Sequence, residues 1–589
     1  MIEGDPISRV LYIDLTRRRS WVEEQPELFK ERLGGTGAAI ELLHKECPPS
    51  VNPLGPENPI IFAVGQLNGV FPIASKMVAM FKSPLTGNLG ESHGGGRSAV
   101  ALRMAGYGAL VIKGRSETPI YLSVHMDEVS FKDASVLWGM GSSATGRVIR
   151  EREPKPGIRT IMRIGQAGER MVSYACVVTE TYRHFGRLGL GAVFGSKKLK
   201  ALVISGRRSF KFKDPRQYRV LYDEVFNALV TSPLMKKYHE LGTSMNILPL
   251  NEMRALPTQN LAKSDFECAD GISGETFAER YLGRRVACAH CPVSCIHIAA
   301  FRIPYETEPY FYKTKMISYD YELIYSLGAM LGVGTCEGIL KLIEEVETLG
   351  LDAMSTGVSL AWATEMQQRG LITERETAGL KLQWGDYGVY LNAVKNIVGQ
   401  PTEFYTALAR GVDYASSKYG GEEFALAFGG NEMPGYHTGP AAYVGYLVGA
   451  RHSHLDGAGY SVDEKFAKAG KHPTPEGVAE ALIAEEKWRQ ILSSLVVCYF
   501  GRGVYTPEIV ARAYNLLGYQ LSCEDLVKIG AEILRSKYNF KCREGFDFGK
   551  LRIPTRIFKS PTPLGPVTEE FIRESIKHFK TILESAPEG

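Results

Sequence analysis

Apolar residues in the first ~205 positions come in short runs separated by glycine-rich turns, which is the rhythm of buried strands rather than of helices. Val10–Leu15, Pro59–Val64, Met77–Phe81 and Thr160–Ile164 are predicted strands. Two more runs nearly repeat each other, Ala109-Leu-Val-Ile-Lys-Gly114 and Ala201-Leu-Val-Ile-Ser-Gly206. Each is followed by arginine and preceded at similar spacing by a Gly/Arg cluster, Gly94-Gly95-Gly96-Arg97 in one case and Gly186-Arg187-Leu188-Gly189-Leu190-Gly191 in the other. The pattern predicts one structural unit used twice. A basic stretch, Arg207–Lys213, then leads to Asp214-Pro215 and ends the β-rich part.

Beyond it the period lengthens. Ile339, Leu342, Ile343 and Val346 fall at i, i+3, i+4 and i+7, the stripe of a helix packed on a core, and Gly350 suits the residue just past its end. A second soft boundary lies near Tyr419-Gly420-Gly421, and the remainder reads as mostly helical up to the Pro-rich stretch Pro561–Pro566. The expected organisation is α+β: a β-rich domain over 1–208, then helical domains over 209–420 and 421–589.

With 589 residues, 44% hydrophobic and 23% charged, the chain is long enough for several domains with ordinary globular composition. A net charge of +4, with no Lys/Arg run longer than Arg17-Arg18-Arg19, argues against nucleic-acid binding. No apolar stretch approaches the roughly 20 residues a membrane span needs, and the start lacks a secretion pattern, so a cytoplasmic protein is expected.

Chemistry enters at Cys288-Ala-His-Cys291-Pro-Val-Ser-Cys295, three thiols in one short loop. Thiolates are soft ligands, and the spacing suits an iron–sulfur cluster or zinc, the latter completed by His290 or His297. A fourth thiol can come from anywhere. Cys498, in Leu495-Val-Val-Cys498-Tyr-Phe, is the favoured choice, although a cysteine in an apolar run is equally an ordinary core residue. The paired glycine loops let backbone N–H groups converge on anions ahead of a helix N-terminus, with arginine available as a phosphate fork. A single such loop is weak, being a common tight turn. Two at matching positions suggest two similar phosphate-bearing groups. Lys82-Ser-Pro-Leu-Thr-Gly87 leads into the first loop, with Lys76 and His93 flanking it.

Together, Lys82–Gly87 with Gly94–Gly96, Gly186–Gly191 with Gly195–Ala201, the three-cysteine loop and the distant Cys498 resemble the aldehyde:ferredoxin oxidoreductase family, enzymes that carry tungsten, less often molybdenum, on two pterins. The resemblance spans about positions 76 to 500. It implies a first domain with internal pseudo-two-fold symmetry, each half covering one pterin, followed by two mainly α-helical domains. Lys76, His93, Gly94, Gly95 and Gly96 then fall at one pterin and Arg187, Leu188 and Gly189 at the other, with Mg²⁺ bridging the pterin phosphates as an additional ion. Cys288, Cys291, Cys295 and Cys498 become ligands of a 4Fe-4S cluster. Asp352 matches an acidic position on pterin nitrogens, although by sequence it is also a helix N-cap.

Departures mark a divergent member. Ser493 stands where the family often has Asp, Val496 where it usually has Gly, and Lys76 and His93 where Arg and Asn are common. For proton transfer, Glu322 is favoured over Asp320, and a carboxylate in a dry pocket is expected to have a raised pKa. His454, with His437 as runner-up, lies near the family's catalytic histidine. The implied activity is oxidation of an aldehyde to a carboxylic acid, with electrons leaving through the cluster to ferredoxin or a polyferredoxin-like small subunit, in a monomer, homodimer or hetero-oligomer. Two alternatives stand beside it: the same cofactors run reductively on an acid or aromatic thioester, or a zinc- or cluster-bearing electron-transfer or structural subunit without its own substrate.

Overall fold

The computed structural model describes residues 2–305, 307–308 and 310–585. Contact density divides the chain into two compact units that interleave along the sequence. Unit 1 holds Met1–Lys236, Ala287–Val293 and Ala484–Phe546; unit 2 holds Lys237–Val286, Ser294–Ile483 and Asp547–Gly589. The linear three-part division by composition and these contact-based units therefore group the C-terminal segments differently.

Unit 1 is built on two six-stranded sheets. The first contains β1 (Arg9–Asp14), β2 (Arg19–Glu24), β3 (Ile60–Ala63), β4 (Met77–Lys82), β5 (Leu89–Gly94) and β6 (Ala109–Lys113) in the order β2-β1-β6-β3-β4-β5. The second contains β7 (Ile120–His125), β8 (Glu128–Asp133), β9 (Ile158–Arg163), β10 (Val177–Val178), β11 (His184–Phe185) and β12 (Leu199–Gly206) in the order β8-β7-β12-β9-β10-β11. The two orders are the same. Each sheet has an antiparallel hairpin, one parallel pairing (β1 with β6, Val10 opposite Ala109; β7 with β12, Ala201 opposite Tyr121), and three antiparallel neighbours. The near-repeated Ala-Leu-Val-Ile runs are the equivalent strands β6 and β12, fully buried, which is why they read as continuous apolar segments rather than alternating ones.

A helix follows each glycine loop, Ser98–Ala105 in the first half and Leu190–Ser196 in the second. The first of these packs on β12 and β9 of the other half, so the repeats share one core. A Cβ on Gly206 would collide with the backbone of Met104 and Ala105, which explains the glycine at the end of β12.

Buried charge ties helix Cys523–Arg543 to the sheets. Lys82, at the end of β4, is 2.5 Å from Glu544, and Arg543 is 2.8 Å from the same carboxylate. Further along, Lys537 is 2.5 Å from Glu91 of β5.

Unit 2 carries an antiparallel three-stranded sheet, β13 (Leu282–Val286), β14 (Ile296–Pro304) and β15 (Tyr312–Tyr319), followed by helices. Helix Cys336–Leu349 buries Ile339, Leu342, Ile343 and Val346. It is capped at its start by the Thr335 side chain and ended by Gly350 in the left-handed region at φ 79°. A helix the composition did not indicate, Glu569–Ser585, follows the Pro-rich stretch. Among the described residues no single helix is long and apolar enough to cross a membrane.

Burial pushes the Glu544 carboxyl up, but the hydrogen bonds and charges of Lys82 and Arg543 overcome this and hold it below the ordinary glutamate value. A lowered folded pKa contributes stability above the unfolded value that is lost as pH falls through the folded one. Urea midpoints of the wild type should therefore drop as pH falls below the ordinary value of 4.5. Glu544→Gln should be less stable at neutral pH and lose less on acidification, and an unchanged acid limb would contradict this.

Candidate functional site

In unit 1, β5 ends at Gly94 and leads into Gly95-Gly96, and Gly96 takes φ 90° just before helix Ser98–Ala105. A Cβ on Gly94 would lie 2.7 Å from the Phe185 ring of β11, so the first loop is pressed against the second half. The second loop has Leu188 at φ 69° and Gly189 at φ 86°. The Ser83 hydroxyl donates to the Leu188 carbonyl at 2.8 Å, and a Cβ on Gly189 would lie 2.7 Å from Pro84. The Lys82–Gly87 turn thus packs directly on the second loop. Arg187 is half-buried beside them.

Gly95 separates two functional groups. A Cβ there would lie 3.0 Å from Cys288 Sγ and 3.4 Å from Lys76 Nζ. Only a glycine leaves the thiol and the ammonium this close to the loop backbone. The Gly96 N–H donates to Cys288 Sγ at 3.2 Å, and Ala289 N–H donates to the Gly96 carbonyl at 2.8 Å. The N–H···S bond fixes where the sulfur sits.

Cys498 reaches the same place through one residue. Ile73 N–H donates to the His290 carbonyl at 2.8 Å, and Cys498 N–H donates to the Ile73 carbonyl at 3.1 Å. Lys76 N–H donates to the Val496 carbonyl at 3.0 Å. Ile73, His290 and Val496 all take positive φ (54°, 55° and 56°), a strained region for β-branched side chains. Cys288, Cys291 and Cys498 are half-buried, unlike the buried Cys47 and Cys176. Cys295 follows Cys291 by four residues, heads β14 in unit 2, and is also half-buried. The sulfur donors, one of them N–H-bonded, are of the kind an iron–sulfur cluster takes, and the loop N–H groups are of the kind a phosphate takes. His297, one of the alternative zinc ligands, is occupied: its ring bonds the carbonyls of Cys295, His239 and Glu240. Among the described residues no three His, Cys, Asp or Glu side chains converge on a single ion.

Two neighbours complete this side. His93 Nε2 is 2.7 Å from Glu91, whose carboxylate also meets Lys537 and accepts from the Thr36 hydroxyl at 2.9 Å. Ser493 Oγ is 2.5 Å from the Tyr499 hydroxyl, and the Arg489 guanidinium lies 4.7 Å from the Tyr499 ring centroid.

Unit 2 contains a separate polar cluster. Tyr436 donates to Glu322 Oε1 at 2.8 Å, and His454 Nε2 is 3.4 Å from the same oxygen. Tyr436 stacks on Tyr460 with centroids 4.6 Å apart and lies 5.3 Å from the His454 ring. His454 is buried, and its Nδ1 has no hydrogen-bond partner among the described residues. The loop that presents it is anchored by Asp456, which pairs with Arg451 at 2.6 Å and accepts from the N–H groups of Arg451 and Ser453.

The raised pKa expected for Glu322 is corrected here. Burial does push it up, but the hydrogen bond and charge of His454, and then the Tyr436 hydroxyl, outweigh burial and hold the carboxyl below its ordinary value. Tyr436 moves the opposite way, well above its usual range, through burial and then Glu322.

The other candidates are engaged structurally. Asp320 caps helix Tyr321–Leu327, accepting from Leu323 N–H at 3.3 Å. His437 is buried between the Tyr443 hydroxyl at Nδ1 and the Pro561 carbonyl at Nε2, and burial pushes its pKa down to about 4. Asp352 caps helix Ala353–Gln368 through the N–H groups of Met354 and Ser355, and the Ser355 hydroxyl bridges it to Glu432 at 2.6 Å on each side. Tyr436, Tyr460, Glu91 and Lys537 were missed. Glu91 and His93 carry the readable signal, since i and i+2 on a strand share a face.

Residues 10–206 match the family model described as aldehyde ferredoxin oxidoreductase, N-terminal domain, and residues 221–585 match that family's domains 2 and 3. The chain is 31% identical to the tungsten-containing aldehyde ferredoxin oxidoreductase of Thermococcus kodakarensis, over 96% of this chain and 93% of the relative. It is 30% identical to that of Pyrococcus furiosus, over 95% and 92%. An aliphatic sulfonate oxidoreductase, WOR-like subunit, of Pyrococcus furiosus is 28% identical over 97% and 93%. Among solved structures, the active site complex BamBC of benzoyl coenzyme A reductase with 1,5-dienoyl-CoA superposes with a TM-score of 0.84 at 21% identity, covering 99% of this chain and 95% of that one. It shares the fold.

Val496 holds a β-branched side chain in the left-handed region, where glycine is at ease. Val496 is also fully buried, so Val496→Gly is expected to lower stability by about 1 kcal/mol, the lost packing and the added freedom of the unfolded chain exceeding the relieved strain. Chemical denaturation measures this, and a gain of stability would show that the strain outweighs Val496 packing.

Proposed function

The chain belongs to the aldehyde ferredoxin oxidoreductase family, and from that premise we propose that it is a tungsten–pterin oxidoreductase that oxidises aldehydes to carboxylic acids and delivers the electrons through a 4Fe-4S cluster to a ferredoxin. The observation that carries this reading is the double clamp of Ile73 on the Cys288–Cys291 loop and on Cys498, next to a thiol that accepts the Gly96 N–H. It ties the backbone of the Cys498 segment to that of the Cys288–Cys291 loop, some two hundred residues away in sequence, beside the first glycine loop.

In this reading the Gly94–Gly96 and Leu188–Gly189 loops, with Lys76, His93 and Arg187, would hold the two pterins and their phosphates. Ser493 and Asp352 would bind pterin. Cys288, Cys291, Cys295 and Cys498 would hold the cluster. When bound, the metal–pterin group supplies the two-electron redox centre. The balance is RCHO + H₂O giving RCOOH, two protons and two electrons, the electrons leaving one at a time.

The protein's own task is the protons. Glu322, ionised at neutral pH, accepts a proton at Oε1 from the water or hydrated aldehyde that provides the new oxygen. His454 Nε2, beside that oxygen, and the Tyr436 hydroxyl steady the carboxylate between turnovers. Because Glu322 is held low, its basic form persists through neutral pH.

Glu322→Gln is expected to lower kcat about 10²- to 10³-fold with aldehyde and viologen dye while the pterin content stays unchanged. In the wild type, kcat/KM should fall only when pH drops below the ordinary glutamate value of 4.5. Tyr436→Phe removes a donor to the carboxylate and should shift that acid limb to higher pH. An acid limb already near neutrality in the wild type would contradict the ionised base.

Anaerobically purified protein should contain about four iron atoms and one tungsten per chain, with the electron paramagnetic resonance of a reduced 4Fe-4S cluster. Cys291→Ser should abolish dye reduction yet retain most of the pterin. Zinc without iron, or normal turnover by the variant, would refute the assignment.

A further inference from the structure

The basic stretch Arg207–Lys213 has no part in the chemistry above, yet it lies over the segment that clamps the thiols. All the residues concerned belong to unit 1. Helix Pro215–Thr231 follows it directly, started by the Asp214 side chain, which accepts from the N–H groups of Arg216 and Gln217. Its aromatic row faces inward. Tyr218 stacks on Phe212 with centroids 3.8 Å apart, meets Phe71 at 5.6 Å, and donates to the Val70 carbonyl at 2.6 Å. Tyr222 lies 5.8 Å from Tyr218.

Beneath the row is Tyr505, fully buried, whose hydroxyl donates to the Pro72 carbonyl at 2.5 Å, one residue before the Ile73 clamp. Its phenol is held well above the usual range by burial and then by the nearby Tyr222, Tyr218 and Cys291. Gly501, whose N–H donates to the Cys498 carbonyl, would place a Cβ 3.5 Å from Leu229 of the same helix. One layer of side chains thus separates the cysteine loop from the helix and its basic approach.

The outer side carries unbalanced charge. Arg207, Lys211, Lys213 and Arg216 are exposed, and Arg207, Lys213 and Arg216 make no side-chain ion pair among the described residues. Of the acids nearby, Asp127 is used by Arg9 and Arg208, Asp214 as the cap, Asp223 by Arg219, and Glu224 by Arg512, while Glu3 stands opposite Lys211 in the strand pairing. Val220 is 67% exposed on the same helix. A cluster of exposed cations with an exposed apolar side chain complements an acidic protein surface with an apolar centre.

We propose that the ribbon Arg207–Lys213 and the start of helix Pro215–Thr231 form the docking face for an acidic one-electron carrier protein. The inference rests on the oxidoreductase reading for its electron count: two carriers are reduced, one electron each, for every aldehyde oxidised. It locates their reception at this face, with Tyr505, Tyr222 and Tyr218 packed between it and the thiols.

The test is binding of a purified acidic 4Fe-4S ferredoxin to the intact holoenzyme, at low and at moderate salt. Wild-type Kd should rise about tenfold or more between roughly 20 and 200 mM salt. The triple variant Lys211→Glu/Lys213→Glu/Arg216→Glu should bind at least about tenfold more weakly at low salt and lose most of the salt dependence. Arg17→Glu/Arg18→Glu/Arg19→Glu, with the same change in net charge on another exposed turn, should stay within about twofold of wild type. With ferredoxin as acceptor the first variant should raise KM, while its rate with benzyl viologen stays at the wild-type value.

Unchanged ferredoxin binding in the first variant overturns the proposal. So does equal weakening by both variants, or a first variant whose sole effect is on oligomeric state in sedimentation, which would make the face a contact between copies. Absence of aldehyde oxidation in a wild type that binds ferredoxin at this face would sink the proposed reaction and leave the docking face standing. Viologen-linked oxidation with face-independent ferredoxin binding would do the reverse.

Discussion

Ile73 sits in a conformation that costs a β-branched residue on the order of 1–3 kcal/mol, and it stays there because both of its peptide groups are committed. Its N–H holds the His290 carbonyl and its carbonyl holds the Cys498 N–H. If either bond were released, the strained backbone would relax towards the extended region and the two cysteine segments would part. His290 and Val496 share the same unusual sign of φ. Strain is therefore concentrated where three chain segments meet, the position in which surrounding structure can over-determine it.

The duplicated sheets supply the rigidity this requires. Each half alone offers a strand–glycine loop–helix element, a modest anion cradle that many folds possess. What differs here is how the halves are joined, with helix Ser98–Ala105 packed on the opposite sheet and Ser83 bonded to Leu188. The loops cannot drift independently, so a ligand with two similar arms would meet a pre-set spacing. Buried ion pairs reinforce the arrangement from the far end of the chain. Glu91 and Lys537, or Lys82 and Glu544, are weak contributors to net stability because desolvation offsets attraction, but they penalise alternative registers strongly.

Glu322 illustrates how competing effects set a protonation state. Burial alone favours the neutral acid, and reasoning from burial predicts a raised value. A tyrosine hydroxyl and an imidazole on one carboxylate oxygen reverse the balance. The outcome is a buried anion poised to accept a proton, steadied by the histidine and tyrosine beside it. His437 has the contrary fate: both ring nitrogens are occupied and burial favours the neutral form, which suits a structural role.

Strand positions, the repeated unit, the helix ending at Gly350 and the three-thiol loop were legible in the chain because each depends on residues close together in sequence, where period and spacing leave a local trace. Resemblance, not spacing, singled out Cys498, Asp352 and Glu322. The pairings that give those residues their state were decided only in three dimensions. Ile73 joins His290 and Cys498, Glu91 meets Lys537, and Tyr436 and His454 meet Glu322 across separations of roughly a hundred to several hundred residues. A hydrogen bond between distant segments imposes no periodicity on either one, so nothing in a single sequence records it; only the packing of the sheets and helices brings the two ends within reach.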